Sequence, residues 1–129
     1  MKSAWNDADV AELTKGLSGA ELDLAQRVYT SRLIGSDPDL VLHGGGNTSA
    51  KSIVQIDGTD VPVMFIKGSG WDLGTIEGAG LPAVRLEPLL EKRKLDKMDD
   101  REMVSFLRAN LLDPKAPTPS VEALLHAFL

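Results

Sequence analysis

The stretch HGGGNTSAK, residues 43–51, is where residue types and spacing first suggest chemistry. Three successive glycines leave their backbone amides uncovered, and Asn47, Thr48 and Ser49 add a side-chain amide and two hydroxyls. Uncovered amides and hydroxyls of this kind form concave anion-binding nests. The composition therefore predicts an anion site, and it leaves a flexible turn between two strands as the open alternative.

Two nucleotide-binding motifs do not fit this loop. A dinucleotide fingerprint needs GxGxxG, but Ser49 stands where the third glycine belongs. The phosphate loop of nucleotide hydrolases needs GxxxxGK[ST], and Ala50 replaces its second glycine. A helix must also begin directly after such a loop, whereas a segment rich in β-branched residues follows here from Ser52. We therefore do not expect nucleotide binding.

Two further segments can serve the same anion. KGSG, residues 67–70, is a second amide-rich turn that carries a hydroxyl and a cation. PSVEALLH, residues 119–126, places Ser120 in the predicted first turn of the last helix, where free amides attract anions. Glu122 and His126 lie four residues apart on that helix, a spacing that is on its own more typical of a solvated pair than of a site.

Capping and turn chemistry predict the elements that position the first two segments. Asn6 or Asp7 caps a short first helix, and the capping-box spacing of Ser18 and Glu21 starts a second helix that ends near Gly35. Segment 52–68 reads as a hairpin that turns at DGTD, residues 57–60. Pro62 is expected at a strand start or at a sheet edge.

The C-terminal half is predicted less completely. Residues 83–95 hold a strand or a short helix, because Pro88 disfavours a long helix. Asp99 caps a helix that runs to about Leu112. Thr118 caps the last helix and Pro119 takes its first position. The apolar side of this last helix is predicted to contain Val121, Leu124, Leu125 and Phe128. Nothing follows that could cover this side, so residues 1–129 are expected to be the N-terminal part of a larger domain.

Composition excludes several classes of function. The chain has 14 Lys plus Arg against 19 Asp plus Glu, a net charge of −5, which argues against a nucleic-acid partner. Neither a signal peptide nor an apolar run of the roughly 18 residues that a membrane helix needs is present, so we expect a cytoplasmic protein without a membrane partner. Cysteine is absent, so any metal must be held by carboxylates and by His43 or His126.

Three motifs of the chain, taken in order, resemble those of the class II aldolase/adducin family: GGGNTSAK, then KGSG after a hairpin, then PSVE at a helix start. In that family a GNxS loop, a Ser/Thr-Gly turn and a PSxE helix start follow one another. The resemblance covers residues 19–129. The sequences GGGNTS and PSVEALLHAFL are most similar to those of the rhamnulose-1-phosphate aldolase branch. Within it they are most similar to long proteins that fuse such an aldolase to a C-terminal short-chain dehydrogenase.

The resemblance implies an α/β fold, namely an α/β/α layered domain with a central, mainly antiparallel sheet that is truncated here at its C-terminus. It also implies a homotetramer when the domain is complete. The residues that it assigns to the substrate phosphate are Gly46, Asn47, Ser69, Gly70 and Ser120. Glu122 is implied to be catalytic, because the matching residue ligates zinc in the resting enzyme and transfers the proton once substrate displaces it.

The implied reaction suits these groups. Cleavage of a carbon–carbon bond β to a ketone leaves an enediolate, which Zn²⁺ or another divalent cation stabilises by several kcal/mol as a Lewis acid. A carboxylate must then move a proton, a step that contributes about 10²- to 10⁴-fold in rate. The leading hypothesis is a zinc-dependent aldolase that splits a ketose 1-phosphate into dihydroxyacetone phosphate and an aldehyde.

Two departures from the family pattern matter. Val121 stands where several members have a second phosphate-binding serine, which puts phosphorylation of the substrate in question. The three histidines of the family's metal site, two of them in a His-x-His pair, would lie beyond residue 129, and neither His43 nor His126 matches them. The 129-residue chain is therefore expected to lack aldolase activity by itself, and retro-aldol turnover by it would contradict this expectation.

Other functions remain open on the same fold. An adducin-type interaction module keeps the fold without the metal, although the intact Glu122 argues against it. Epimerases and decarboxylases share the fold as well. The chain is also compatible with a truncated product that has no function of its own.

Overall fold

The computed structural model describes residues 2–92 and 98–129. Its elements are helices α1 (Asp7–Leu13) and α2 (Gly19–Gly35), strands β1 (Ser49–Ile56), β2 (Thr59–Ile66) and β3 (Ala83–Arg85), and helices α3 (Leu86–Lys92), α4 (Asp100–Ala109) and α5 (Ala123–Phe128). Two short 3₁₀ turns, Leu73–Thr75 and Gly78–Gly80, connect β2 to β3. Among the described residues, none of the helices combines the length and the apolar character that crossing a membrane requires.

Strands β1 and β2 form the hairpin that the sequence predicts. Asp57 and Gly58 have φ angles of 51° and 76°, as a two-residue type I′ turn requires. β3 pairs with the other side of β2, so the antiparallel sheet has the order β1-β2-β3. β2 is therefore the central strand of the sheet.

Pro62 lies inside β2, so the predicted strand start is wrong, but the side of β2 that faces β3 is still unpaired at Pro62, as the predicted edge position requires. Ile56 and Thr59 pair next to the turn, and hydrogen-bonded pairs alternate with non-hydrogen-bonded pairs from there. Pro62, opposite Ile53, falls on a non-hydrogen-bonded pair and directs its nitrogen towards the other neighbour. β3 pairs only with residues 63–65, so the missing N–H costs the sheet no hydrogen bond.

β2 separates two hydrophobic layers. Val63 and Phe65 face one layer and Met64 and Ile66 face the other, because successive side chains of a strand alternate. The first layer also contains Leu73, Ile76 and Leu81, and the second contains Val84, Leu89, Leu107, Leu111, Ala123 and Ala127. Helix α2 packs on the first layer, and residues of α3, α4 and α5 belong to the second. This is the α/β/α layering with an antiparallel sheet that the resemblance implies.

The starts of α1, α2 and α4 follow the predicted caps, although not every cap forms its hydrogen bond. Asn6 accepts from the amides of the first turn of α1. Asp99 Oδ1 accepts from the Glu102 amide at 2.8 Å. Ser18 precedes α2 as predicted, but its side chain makes no capping hydrogen bond.

These two caps give a matched pair of stability predictions. We expect Asp99→Ala to lower the free energy of unfolding by about 1 kcal/mol, because it removes a formed cap. Ser18→Ala should change that free energy far less, since no capping hydrogen bond is lost. Urea unfolding followed by circular dichroism measures both variants, and an equal loss in the two would contradict the capping assignment.

The segment 83–95 forms both predicted elements in succession, strand β3 and then helix α3, with Pro88 in the first turn of the helix. Residues 93–95 of the segment lie outside the described residues.

Helix α4 ends at Ala109, before the predicted end at Leu112. Leu111 instead leaves the helix and forms an antiparallel bridge with Val84 of β3. The bridge buries Leu111 in the second hydrophobic layer, so sheet pairing outweighs one more helical turn.

Helix α5 begins at Ala123 instead of at Pro119, so Thr118 does not cap it and Ser120 precedes it. Pro119 bridges to Gly68 at the end of β2.

The apolar side of α5 is therefore only partly the predicted one. Leu124 and Phe128 pack against the second layer. Val121 and Leu125 are exposed, with 58% and 59% of their surface accessible, while Ala123 and Ala127 are buried. The prediction was wrong for Val121 because this residue precedes the helix, and wrong for Leu125 because the buried face of α5 is centred on Ala123 and Ala127 instead.

Candidate functional site

The backbone of Lys67 joins the three segments that the sequence singles out. Its N–H donates to the Thr48 carbonyl at 3.2 Å, and its carbonyl accepts from the Ser120 N–H at 2.9 Å. These are the glycine loop (residues 43–51), the KGSG turn (residues 67–70) and the PSVE segment (residues 119–122), which lie side by side in this order. We call them the stacked segments.

A close backbone approach at Gly68 makes this arrangement possible. Gly68 forms the bridge to Pro119, and the Ser69 N–H donates to the Thr118 carbonyl at 2.8 Å. A Cβ atom on Gly68 would lie 2.7 Å from Cβ of Pro117. Any side chain at this position would push the KGSG turn and the PSVE segment apart.

The glycine loop rests on the segment that follows the KGSG turn. Gly46 has φ of 80°, and a Cβ atom there would lie 2.9 Å from Cδ2 of Leu73 and 3.0 Å from Cγ1 of Val41. The positive φ favours glycine at this position, and a side chain here would also have to displace the methyl groups of Leu73 and Val41. His43 Nδ1 also lies 2.8 Å from Asp72 Oδ2, but the His43 side chain is 93% exposed, so solvent weakens this contact.

Helix α2 anchors the end of the glycine loop. Thr48 is buried, and its hydroxyl lies 2.7 Å from the buried hydroxyl of Ser31. Two buried hydroxyls that satisfy each other fix the point where the loop enters β1.

Three polar side chains meet at the open edge of the stacked segments. The Asn47 amide donates to Ser120 Oγ at 2.7 Å and to Glu122 Oε2 at 3.2 Å. Ser120 Oγ also accepts from the Glu122 backbone N–H at 3.2 Å. Glu122 is exposed, and its carboxylate points towards the glycine loop instead of into the apolar interior.

Ser69 and Gly70 lie exposed at the tip of the KGSG turn. Gly70 has φ of 86°, which favours glycine. Within the described part of the chain, the Ser69 hydroxyl has no hydrogen-bond partner, so it is available to a ligand. The structure thus brings Asn47, Ser120 and Glu122 into direct contact, whereas Ser69 is joined to them through the backbone.

Sequence reasoning missed one contact of this site. Ser49 Oγ lies 2.7 Å from His126 Nδ1, although the two residues are 77 positions apart. Glu122 and His126 thus each have a partner outside the helix, Asn47 and Ser49 respectively, although Glu122 remains exposed. A signal was present: Asn47 and Ser49 are two apart on an extended segment, and Glu122 and His126 are one helical turn apart.

Comparisons with known proteins bear on the fold. No protein-family model matches the chain. The chain is similar to the N-terminal class II aldolase domain of a conserved protein from Thermoplasma acidophilum, with a TM-score of 0.85 and 45% identity over 100% of this chain and 56% of that one. The chain has the fold of a class II aldolase domain. The predicted resemblance and the predicted layered fold are both confirmed.

A curated relative of the chain is much longer. The chain is 40% identical over 130 residues to "Uncharacterized oxidoreductase YuxG" of Bacillus subtilis (strain 168), and the match covers 100% of the chain but 18% of that protein. The chain therefore spans a small part of YuxG and little more than half of the Thermoplasma chain.

Class II aldolases are generally metal-dependent, so the donor set of this domain is informative. Within residues 2–92 and 98–129, no group of three or more His, Asp or Glu side chains lies close enough to hold a metal ion. Glu122 offers one exposed carboxylate, while Nδ1 of His126 already contacts Ser49. The described residues do not fit a complete metal site, and Glu122 is the one ligand that the site geometry offers.

Proposed function

We propose that the chain is the N-terminal part of a metal-dependent class II aldolase that cleaves a ketose 1-phosphate, such as rhamnulose 1-phosphate, into dihydroxyacetone phosphate and an aldehyde. The observation that carries this proposal is the meeting of Asn47, Ser120 and Glu122 in a class II aldolase fold. We further propose a cytoplasmic homotetramer. The name and length of YuxG support a C-terminal oxidoreductase segment in the complete protein.

In this proposal the stacked segments bind the substrate phosphate. The groups that do so are the amides and side chains of Gly46, Asn47, Ser69, Gly70 and Ser120. Hydrogen bonds to a charged phosphate are about twice as strong as neutral ones. The Asn47 amide donates both of its hydrogens to Ser120 and Glu122, so a phosphate oxygen would compete with these two acceptors.

Glu122 moves the proton at the reacting carbon. As the carbon–carbon bond breaks, the hydroxyl on the leaving carbon gives its proton to solvent and becomes the aldehyde carbonyl, while the electron pair of the broken bond passes into the enediolate of dihydroxyacetone phosphate. The exposed Glu122 carboxylate takes up a proton from solvent. The carboxylic acid form of Glu122 then gives its proton to the enediolate carbon. In the synthetic direction, the carboxylate takes the same proton away. The exposure of Glu122 supports this role, because the carboxylate is open to a bound substrate.

The proposal predicts that phosphate recognition depends on Ser69. In the full-length protein supplied with Zn²⁺, Ser69→Ala is expected to raise the KM for rhamnulose 1-phosphate by about 10-fold, because a hydrogen bond to a charged group contributes about 1.5–3 kcal/mol. Proton NMR of the released dihydroxyacetone phosphate measures this directly, without a coupling enzyme.

Ser105→Ala is the matched control, because Ser105 is an exposed serine on α4, away from the stacked segments. It should leave KM unchanged. Absence of cleavage for every ketose 1-phosphate tested, with Zn²⁺ or Mn²⁺, would overturn the proposed function. An unchanged KM in Ser69→Ala would overturn the phosphate site alone.

A further inference from the structure

Two hydrogen bonds link the start of β1 to the last helix. Asn47 donates to Glu122, and Ser49 contacts His126 at 2.7 Å. Within α5, the His126 N–H donates to the Glu122 carbonyl at 3.1 Å. Together with the chain from Asn47 to Ser49, these contacts close a ring that contains the proposed proton-transfer carboxylate.

The buried face of α5 and the backbone hydrogen bonds of residues 118–120 hold the helix in the fold, and the Ser49–His126 contact is the side-chain link that ties it to the start of β1. The helix has six residues, and its N-cap, Glu122, makes no side-chain capping hydrogen bond. On the outer side, Val121 and Leu125 are exposed and provide no packing. The side chains of Ser49 and His126 are both half-buried, so water competes less for their hydrogen bond than it does at the surface.

We propose that His126 is a positioning residue that sets Glu122 against Asn47 through its hydrogen bond to Ser49. This inference rests on the proposed function of Glu122. His126 does not touch substrate in this assignment. Its imidazole holds the first turn of α5 at a fixed distance from β1, and thereby fixes where the Glu122 carboxylate lies.

The test is a double-mutant cycle in the full-length protein with rhamnulose 1-phosphate as the probe. Ser49→Ala and His126→Phe are each expected to lower kcat by about 10-fold, because a misplacement of about 1 Å costs up to about 100-fold in rate. The double variant should lose no more than either single variant, since both remove the same hydrogen bond. KM should change less than kcat, because Ser69 and Gly70 lie on another segment and only Asn47 and Ser120 of the proposed phosphate site adjoin Glu122.

A conservative variant and a matched control separate positioning from general destabilisation. His126→Asn places an amide where Nδ1 lies and should recover most of kcat, whereas His126→Phe should not. Ser52→Ala is the control, because Ser52 lies on the same strand and donates to Asp23 on α2 at 2.5 Å instead. We expect kcat to be unchanged in Ser52→Ala.

Hydrogen exchange of the peptide covering residues 119–129 gives a readout that needs no activity. Exchange should become faster in Ser49→Ala and His126→Phe, but not in Ser52→Ala. Additive kcat losses, or a failure of His126→Asn to recover kcat, would overturn the positioning role. If the wild-type protein cleaves none of the ketose 1-phosphates, the proposed function fails, and unchanged hydrogen exchange would then overturn the Ser49–His126 link itself.

Discussion

Replacing Glu122 with glutamine is expected to lower the kcat of the full-length protein by about 10²- to 10⁴-fold, the range that general acid–base catalysis contributes. The fold should survive, because Glu122 is exposed and the glutamine carbonyl still accepts the hydrogen bond from Asn47. The variant therefore removes the ability to carry a proton while keeping the shape and the contact. Steady-state kinetics with rhamnulose 1-phosphate, together with thermal unfolding of the same sample, measure both effects.

Glu87→Gln on α3 is the matched control, because Glu87 is an exposed glutamate outside the stacked segments. It should retain wild-type turnover. Near wild-type turnover in Glu122→Gln would remove Glu122 from the mechanism. An equal loss of folded protein in Glu122→Gln would mean that the residue is structural.

The elements that the sequence predicts correctly are those whose ends are set by local chemistry. Asn6, Asp99 and the Asp57-Gly58 turn act on their own neighbours in the chain, so a single sequence window contains the whole signal. Gly35 likewise ends α2 where expected. The Asp57-Gly58 turn fixes how β1 and β2 pair, and these strands adjoin the candidate site.

The elements that were placed wrongly are those that pair with distant segments. Leu111 bridges to Val84, and Pro119 bridges to Gly68, so α4 ends early and α5 starts late. A helical cap at Thr118 is a reasonable local prediction, but two backbone hydrogen bonds to the KGSG turn outweigh it. Propensity is a weak preference that tertiary contacts override.

Part of the candidate site could be predicted from the family motifs instead of from local chemistry. The order of the GNxS, Ser-Gly and PSxE motifs suggested that Asn47, Ser120 and Glu122 come together, and no periodicity in the chain contained this information. No motif links His126 to Ser49, because their contact spans 77 positions, and the signal is limited to the matching spacings of Asn47–Ser49 and Glu122–His126. The contact that the structure adds is therefore the Ser49–His126 hydrogen bond, which supports Glu122.

Gly35→Ala is expected to produce the largest loss of stability. A Cβ atom on Gly35 would lie 2.3 Å from the Gly74 nitrogen and 2.5 Å from the Leu73 carbonyl carbon. The obstacle is backbone, which cannot rotate away as a side chain can, so we expect a cost of about 3 kcal/mol, the upper end of the usual range for overpacking. This corresponds to a fall in Tm of about 10 °C for a domain of this size.

Gly78→Ala is the matched control, since a Cβ atom there makes an ordinary contact, 3.5 Å from Cδ2 of Leu24. Scanning calorimetry should show a small change in Tm for Gly78→Ala and a large one for Gly35→Ala. The loss should also reach the site, because Leu73 follows the KGSG turn and Gly46 packs against its side chain. Helix α2 thus positions the glycine loop through a contact between two glycines, and a Gly35→Ala variant with unchanged Tm would show that this contact does not hold the loop.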